Sequence, residues 1–171
     1  MVDFSENKSD KTSAFHSAQE YIQSNKLTIF KKDKERPWGG FFVIDDASLS
    51  SFINHFFPGF KQKINGQKQT LSPKILLVEP GKRLSWQYHH RRSEVWKIVN
   101  GPVGIVLSDD DHQTPVQSFN TGEVITIDKG QRHRLVGLQD WGVVAEIWKH
   151  TDPDNPSNED DVVRLEDDYG R

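Results

Sequence analysis

The stretch "GKRLSWQYHHRRSEVWKIVNG", residues 81–101, decides which fold and which chemistry this sequence can support. It places four polar residues with ligand character close together: Gln87, His89, His90 and Glu94. Successive side chains of a β-strand point to opposite faces, so Gln87 and His89 share one face and His90 points to the other. After the turn, Glu94 opens a returning strand. In a hairpin we expect Glu94 to face Gln87 and His89 at close cross-strand range.

A second stretch, "GEVITIDKGQRHRLVG", residues 122–137, adds another histidine. It predicts a strand, a turn and a further strand that bears His133, and a closed barrel can bring His133 to the inner face of the first hairpin. Four side chains would then hold one divalent metal ion: Gln87, His89, Glu94 and His133. Two imidazoles and a carboxylate suit Zn²⁺ first, with Mn²⁺, Fe²⁺ or Ni²⁺ as alternatives. Local spacing fits a charged surface hairpin equally well, and both interpretations stay open at this point.

The composition narrows the functional class. The chain has 171 residues, enough for one domain with a substantial core. Its 22 Lys and Arg against 25 Asp and Glu lack the basic excess that nucleic-acid binding usually shows, and the absence of cysteine excludes disulfides and thiolate ligands. The N-terminus has no apolar core of signal-peptide type, and no apolar run approaches the ~20 residues that span a bilayer. We therefore expect a soluble cytoplasmic protein with no membrane or nucleic-acid partner.

Apolar periodicity predicts short helices first and then a series of strands. Helical spacing covers residues 13–26, and a clearer apolar stripe covers residues 49–57. From residue 74 to 149, short strands alternate with turns and no helical pattern intervenes. This pattern predicts an all-β fold, a sandwich or a barrel, with short N-terminal helices. We expect an N-terminal extension with a short helix over residues 1–35, and one barrel domain with an acidic tail over residues 36–171.

The two quoted stretches resemble the paired motifs of the cupin superfamily. The first cupin motif runs Gly, five residues, His, one, His, three or four, Glu, six, Gly. The residues that fit it, with glutamine at the first histidine, are Gly81, Gln87, His89, Glu94 and Gly101. The residues that match the second motif are Gly122, Gly130 and His133. The resemblance implies a single cupin barrel, which is a jelly roll (a double-stranded β-helix), over residues 74–149.

A closer resemblance is to the cupin of type II mannose-6-phosphate isomerases. The hallmarks of that domain are "RPWG", a stretch like "G-x-x-LSLQ-x-H-x-x-R-x-EHW", and a terminal "EDDIVRFED-x-YGR". This chain has "RPWGGF" from Arg36, the first stretch quoted above, and "EDDVVRLEDDYGR" from Glu159. Glutamine at position 87 is what this subfamily carries. The positions that depart from the family pattern are Trp86, Val95, Lys97 and Gly137.

This resemblance implies a metal-dependent sugar-phosphate isomerase that interconverts an aldose and a ketose, with mannose 6-phosphate as the first substrate to consider. The bound cation would stabilise the negative oxygen of an enediolate. Glu146 is the candidate base, because strand alternation places it on one face with Val144 and Trp148.

Four further residues are candidates for contact with the sugar phosphate. Arg83 shares the ligand face and is the first choice for the phosphate, and Arg164 in the tail motif is the second. Trp38 and Trp96 are candidates for the walls of the sugar site.

Other functions stay open beside the isomerase. One is a non-catalytic cupin that binds a sugar phosphate, and another is a different cupin enzyme, such as another hexose or heptose phosphate isomerase, an epimerase or an iron oxygenase. The same cupin domain also occurs fused to a mannose-1-phosphate guanylyltransferase. We see no such domain in this sequence and do not expect nucleotide-sugar synthesis. A homodimer is expected by analogy with other cupins.

Overall fold

β-Strands dominate the computed structural model, which describes residues 10–60, 63–64, 67–68 and 70–171. In this part of the chain the helices are α1 (Lys11–Ser24) and α2 (Leu49–Phe56), and a 3-10 turn, Asp46–Ser48, leads into α2. The strands, in chain order, are β1 (Ile29–Asp33), β2 (Gly39–Ile44), β3 (Lys63–Ile64), β4 (Gln67–Lys68), β5 (Leu71–Val78), β6 (Trp86–Tyr88), β7 (Arg92–Asn100), β8 (Val103–Ser108), β9 (Gln117–Phe119), β10 (Val124–Ile127), β11 (Arg132–Val136), β12 (Gly142–His150) and β13 (Val163–Glu166).

Two antiparallel sheets form the body of the molecule. The larger has six strands in the order β1-β2-β5-β12-β7-β10, and the smaller has five in the order β13-β6-β11-β8-β9. The chain passes repeatedly from one sheet to the other, which is the connectivity of a jelly roll. The predicted all-β barrel with short helices is therefore confirmed.

The predicted hairpin between the strands of Gln87 and Glu94 is wrong. β6 pairs with β11 and β13 in the smaller sheet, whereas β7 pairs with β12 and β10 in the larger one. Residues 89–91 carry the chain across from one sheet to the other. Alternation fixes the face on which a side chain lies, but the pairing partner is set by strands far away in sequence. Gln87 and Glu94 consequently approach from two different sheets.

Two apolar clusters hold the fold together. The first fills one part of the barrel interior and includes Trp38, Trp96 and Leu135. The second lies on the outer face of the larger sheet, where the helices pack; its buried members include Phe15 from α1, and Phe15 stacks on Phe42 of β2 with ring centroids 5.5 Å apart. Within the described residues, no helix has the length and apolar character that a bilayer crossing needs.

The N-terminal and C-terminal segments are both built into the sheets. β1 pairs with β2, so the expected boundary at residue 35 falls between two strands of one sheet. The described part of the expected extension therefore packs on the barrel, and residues 1–9 lie outside the described residues. At the other end, β13 pairs with β6, the strand that bears Gln87. This pairing brings the acidic tail to the end of the barrel where the candidate ligands lie.

The departure at Gly137 has a steric explanation. A Cβ atom at this position would lie 2.0 Å from the carbonyl oxygen of Glu79, a backbone atom that cannot swing away. The amide of Gly137 also donates to the carbonyl of Lys82 at 2.7 Å, which fixes the local backbone. Glycine at this position lets the two backbone segments pack against each other.

We expect Gly137→Ala to lower the free energy of unfolding by at least about 1–3 kcal/mol, because overpacking against fixed backbone must displace the chain. Urea unfolding followed by circular dichroism measures this. Gly122→Ala is the matched control: its φ of +93° is unfavourable for alanine, but no atom lies within 4 Å of the added Cβ. The control should lose only about 1–2 kcal/mol. A Gly137→Ala chain as stable as the parent would contradict the steric explanation.

Candidate metal centre

Three buried side chains from both sheets meet inside the barrel. One potential ligand atom each from His89, Glu94 and His133 lies within 4.8 Å of the other two. Nε2 of His89 is 3.3 Å from Oε1 of Glu94, and Nε2 of His133 is 3.5 Å from Oε2. The exposed fractions are 3% for His89, 1% for Glu94 and 1% for His133. The three side chains are therefore shielded from bulk water, and their potential ligand atoms point towards a common centre.

The two sheets place each member of this group. Glu94 lies on β7, where alternation turns Arg92, Glu94 and Trp96 inward. His133 lies on β11 directly opposite Gln87 of β6, and His89 follows the end of β6. The predicted convergence of His89, Glu94 and His133 is thus present, although it crosses the barrel rather than a hairpin.

Backbone carbonyls fix the orientation of both imidazoles. Nδ1 of His89 donates to the carbonyl of Asp161 at 2.5 Å, and Nδ1 of His133 donates to the carbonyl of Gln131 at 3.0 Å. A carbonyl oxygen can only accept, so each Nδ1 carries the proton and each Nε2 presents a lone pair towards Glu94. Metal-ligating histidines usually donate their other ring N–H to a carbonyl or carboxylate in this way.

The unsatisfied atoms of the group match a cation. Nε2 of His133 is buried and has no hydrogen-bond partner among the described residues. Nε2 of His89 accepts from Nη2 of Arg92 at 3.0 Å, so a metal ion that takes this lone pair must replace a guanidinium N–H. Two neutral imidazoles and one carboxylate form a donor set that divalent ions accept. The three residues therefore fit a metal ion.

Arg92 is the main contributor to the site that the sequence analysis missed. Its Nε donates to Oε1 of Glu94 at 2.7 Å, and its guanidinium stacks 3.5 Å from the ring centroid of Trp148. The residue is only 6% exposed, so the interpretation of this segment as a charged surface hairpin is wrong for Arg92. The signal was available, because Arg92 shares the inward face of β7 with Glu94 and occupies the arginine position of the family stretch.

Burial and Arg92 together set the charges of the group. Burial lowers the pKa of His89 to about 3 and also lowers the pKa of His133, so both rings are neutral near pH 7. Burial opposes the ionisation of Glu94, but the adjacent guanidinium of Arg92 outweighs this and lowers the pKa of Glu94 well below its ordinary value. The group near pH 7 is thus one carboxylate between two neutral imidazoles, the form that binds metal.

A cavity opens beside the three ligands and contains most of the other predicted residues. The predicted residues that line it are Trp38, Gln87, His89, Glu94, Trp96, Glu146 and Arg164. Its further charged lining residues are Arg36, Lys74, Arg92, Glu159 and Arg171. Five of the lining residues are Lys or Arg and three are Glu, so the cavity wall carries an excess of positive charge.

Gln87 lies at the edge of the ligand group. Its side chain is half-buried and lines the cavity, and its Oε1 accepts from Oγ of Ser85 at 2.5 Å. Its backbone is opposite His133. The role of Gln87 as a fourth ligand stays a prediction.

The two predicted phosphate-binding arginines lie in different surroundings. Arg83 is exposed, does not line the cavity, and donates to Asp168 from Nε at 2.6 Å and from Nη2 at 2.9 Å. Arg164 is also exposed, but it lines the cavity, and its guanidinium makes no hydrogen bond or ion pair in the part of the chain that the structure describes. Burial, then the nearby charges of Arg171 and Arg36, lower the pKa of Arg164. Arg164 is thus the better placed of the two to meet an anion.

Glu146 faces inward, a point that alternation alone left open. Nε1 of Trp96 donates both to Oε1 of Glu146 at 2.9 Å and to Oε2 of Glu94 at 3.1 Å. Burial, reinforced by the charge of Glu94, raises the pKa of Glu146 to about 8. Near pH 7 Glu146 is therefore largely a neutral acid. The indole of Trp96 connects it to Glu94 of the ligand group.

Residues 58–167 match the protein family described as "Mannose-6-phosphate isomerase C-terminal". The chain belongs to this family. Its membership agrees with the resemblance of the quoted motifs, and the barrel described above is the cupin fold of that family.

Curated relatives of the chain are named for other reactions. It is 31% identical over 136 residues to the alginate biosynthesis protein AlgA of Pseudomonas aeruginosa, 29% over 136 residues to the xanthan biosynthesis protein XanB of Xanthomonas campestris, and 34% over 98 residues to the mannose-1-phosphate guanylyltransferase ManC of Salmonella typhimurium. These alignments cover 80%, 80% and 57% of this chain but only 22%, 23% and 19% of those proteins. The chain therefore spans about a quarter or less of their length.

The prediction of a sugar-phosphate isomerase is wrong on this finding. The family description keeps the isomerase name, but the named relatives are guanylyltransferases and polysaccharide-biosynthesis proteins. What the chain shares with them is the cupin domain. Without an isomerisation, Glu146 is no longer expected to act as its base.

Solved structures confirm the fold. An oxalate decarboxylase of Lactobacillus farciminis superposes with a TM-score of 0.52 at 21% identity over 83% of this chain and 34% of that one. A variant of the oxalate decarboxylase of Bacillus subtilis gives 0.56 at 11% identity over 81% of this chain and 32% of that one. At such identities the likeness concerns the cupin barrel alone. The expected homodimer and cytoplasmic location stay predictions.

We expect Glu94→Gln to lose most of the metal that the parent chain binds, because the amide keeps the shape of the side chain but removes the negative charge that attracts a cation. Elemental analysis of the protein after dialysis against Zn²⁺ measures this. Glu146→Gln is the matched control, since Glu146 shares the Trp96 donor but lies outside the three-ligand group. Equal metal content in the Glu94→Gln and parent proteins would exclude Glu94 as a ligand.

In the metal-free protein, His89 and His133 should each destabilise the fold as the pH falls through the histidine range. Unfolded histidine has a pKa near 6.5, whereas folded His89 has a pKa of about 3 and folded His133 a lowered one. Unfolding therefore takes up protons at these two rings below about pH 6.5, and His89 should cost about 1.4 kcal/mol between pH 7.5 and 5.5. Glu146, whose folded pKa is about 8, acts in the opposite sense, because its folded carboxyl keeps a proton that the unfolded one has lost. Urea unfolding with a chelator present, at both pH values, checks this.

His133→Gln removes the contribution of His133, so its stability at pH 5.5 relative to pH 7.5 should be higher than that of the parent. His112→Gln, at an exposed site, should leave this pH dependence as in the parent. If the stability of the parent and His133→Gln proteins changes equally over this interval, His133 is not buried as a neutral ring.

Proposed function

We propose that this chain is a zinc-binding cupin domain whose cavity binds a phosphorylated sugar, with mannose 1-phosphate as the first ligand to test. The observation that supports it is the buried His89, Glu94 and His133 group beside a cavity with five cationic side chains. Mannose 1-phosphate is the compound printed in the names of the guanylyltransferase relatives. The proposal concerns ligand binding only. The ligand is chosen from the sugar-phosphate chemistry that those names describe.

Zinc is proposed because of the donor set. Imidazole nitrogens and a carboxylate oxygen are common Zn²⁺ ligands, and three protein ligands leave a position for an oxygen of a bound molecule. When bound, such an ion polarises an oxygen atom that coordinates it. His89, Glu94 and His133 would hold the ion, and the backbone carbonyls of Asp161 and Gln131 would keep the two imidazoles in the required tautomer.

The charges around the cavity support an anionic ligand. Besides Arg92, three arginines line the cavity wall: Arg36, which precedes β2, and Arg164 and Arg171 of the C-terminal segment. Arg36 donates to Asp33 and Arg171 donates to Asp167, whereas Arg164 has no such partner in the described residues. A planar guanidinium without a carboxylate partner is suited to a bidentate contact with phosphate.

Lys74 adds a buried cation on the same wall. It is 4% exposed, forms a salt bridge with Glu159, and its Nζ lies 3.6 Å from the ring centroid of Trp148. Glu159 belongs to the tail and its side chain is half exposed. A phosphate group of the ligand can take the place of the Glu159 carboxylate beside Lys74. The charge of Lys74 would then stay paired, and Glu159 could turn to solvent.

Binding should depend on Arg164. We expect the zinc-loaded protein to bind mannose 1-phosphate and Arg164→Gln to weaken that binding about tenfold or more, because a charge-assisted hydrogen bond contributes about 1.5–3 kcal/mol. Isothermal titration calorimetry measures the dissociation constants.

Arg83→Gln is the matched control, since Arg83 is paired with Asp168 outside the cavity and its loss should leave binding nearly unchanged. Mannose without phosphate should bind much more weakly than mannose 1-phosphate. No binding of the phosphate by zinc-loaded protein, or equal binding of both sugars, would rule out the proposed ligand class.

A further inference from the structure

Residues 157–161 of the C-terminal segment lie against the candidate metal group. They are distant in sequence, since Asp161 is 72 positions from His89, its hydrogen-bond partner. Asp161 and Ser157 are both buried, with exposed fractions of 6% and 7%. The segment is therefore part of the wall of the site rather than a loop over its surface.

Asp161 contacts the ligand turn with both its backbone and its side chain. Its carbonyl accepts the Nδ1 proton of His89 at 2.5 Å. Its carboxylate accepts from the backbone amides of His90 and Arg91, both at 3.0 Å. The carboxylate thus ties the segment to the turn that contains His89, and the carbonyl orients the imidazole itself.

Ser157 and Asn158 connect the same segment to Glu94 through Arg92. Nη1 of Arg92 donates to Oγ of Ser157 at 2.9 Å and to the carbonyl of Asn158 at 3.2 Å. Nε of the same guanidinium donates to Glu94 at 2.7 Å. Two of the three ligands are therefore oriented, one directly and one through Arg92, by a stretch of five residues.

Hydrogen bonds also anchor the segment to the larger sheet. Oγ of Ser157 donates to Oδ2 of Asp161 at 2.6 Å, and the amide of Ser157 donates to Nδ1 of His150 at 2.9 Å. Nε2 of His150 lies 2.8 Å from Oγ of Ser72 on β5. Since Nδ1 of His150 accepts, its Nε2 carries the proton and donates to Ser72. A continuous hydrogen-bonded chain thus runs from β5 to His89.

We propose that Asp161 is a positioning residue for the metal ligand His89, and that docking of residues 157–161 is coupled to metal occupancy. The inference rests on the proposed metal site. Without the docked segment, the ring of His89 loses the acceptor that fixes its tautomer and rotation, and Arg92 loses two of its anchors. Loss of a group that accepts the ring N–H of a metal-ligating histidine typically lowers metal affinity about 10–100-fold.

The coupling must act in both directions. If docking of the segment strengthens metal binding by a given factor, metal binding must favour the docked segment by the same factor. Bound metal should therefore slow hydrogen exchange of the amides of His90 and Arg91, which donate to Asp161. This slowing should exceed that of amides elsewhere in the barrel, because general stabilisation by a ligand of the folded state slows all amides that exchange through global unfolding.

The test compares Asp161→Asn with Asp160→Asn in the full chain. Asparagine at 161 keeps the size of the side chain but replaces one acceptor oxygen with a donor that meets a backbone N–H. Asp160 is the neighbouring exposed acid, and the hydrogen bond that it makes to Asn158 comes from its backbone amide. Zn²⁺ dissociation constants, measured by competition with a chromophoric chelator, should rise about 10–100-fold for Asp161→Asn and stay unchanged for Asp160→Asn.

Hydrogen exchange with and without Zn²⁺ provides the second measurement. Zn²⁺ should protect His90 and Arg91 in the parent and much less in Asp161→Asn. If Asp161→Asn fails to fold, Ser157→Ala decides, because it removes the hydroxyl that bonds both Asp161 and Arg92 and should weaken Zn²⁺ binding in the same direction.

The outcomes separate this inference from the proposed function. Tight Zn²⁺ binding that a folded Asp161→Asn or Ser157→Ala chain retains in full would overturn the positioning role and leave the metal site intact. A parent chain that binds no Zn²⁺ would overturn the proposed function and this inference with it.

Discussion

The buried carboxylate of Glu94 is the interaction on which the rest of the site depends. It is 1% exposed, and an isolated charge at such a depth would be strongly destabilising. Arg92 compensates it at 2.7 Å, and the indole N–H of Trp96 donates to its second oxygen. The inward positions of β7 thus contain a matched cation, anion and donor in sequence. This arrangement keeps the carboxylate ionised and directed at the two imidazoles.

Part of this arrangement could be predicted from the sequence because it follows from strand alternation. Alternation and motif spacing brought His89, Glu94 and His133 together as candidate ligands. Alternation also put Glu146 on one face with Val144 and Trp148, without saying which way that face points. The pairing of β6 and β7 could not be predicted in the same way, because strand partners are long-range and are decided by the packing of both sheets. The hairpin interpretation therefore grouped the correct residues but assigned the wrong strand pairing.

The charged residues were harder to predict because an arginine can be paired or unpaired in any strand pattern. Arg83 and Arg164 look alike in sequence, but Asp168 neutralises the first outside the cavity and no such partner meets the second in the described residues. Arg92 looked like one charge of a surface run, and it is buried because Glu94 and Trp148 surround it. Val95, a departure from the family pattern, faces the outer apolar cluster and so lies away from the ligands.

Arg92 also explains how one cavity can be stable with and without a metal ion. Without metal, the charges of Glu94 and Arg92 cancel and the guanidinium satisfies the lone pair of His89. A divalent ion at the same group adds two positive charges, and it must displace the N–H of Arg92 from His89. The guanidinium stacks on Trp148 at the cavity wall, and if it kept this contact its charge would add to that of the ion. Metal binding would therefore convert a nearly neutral group into a strongly positive one, so the affinity of the cavity for a phosphate should depend on metal occupancy.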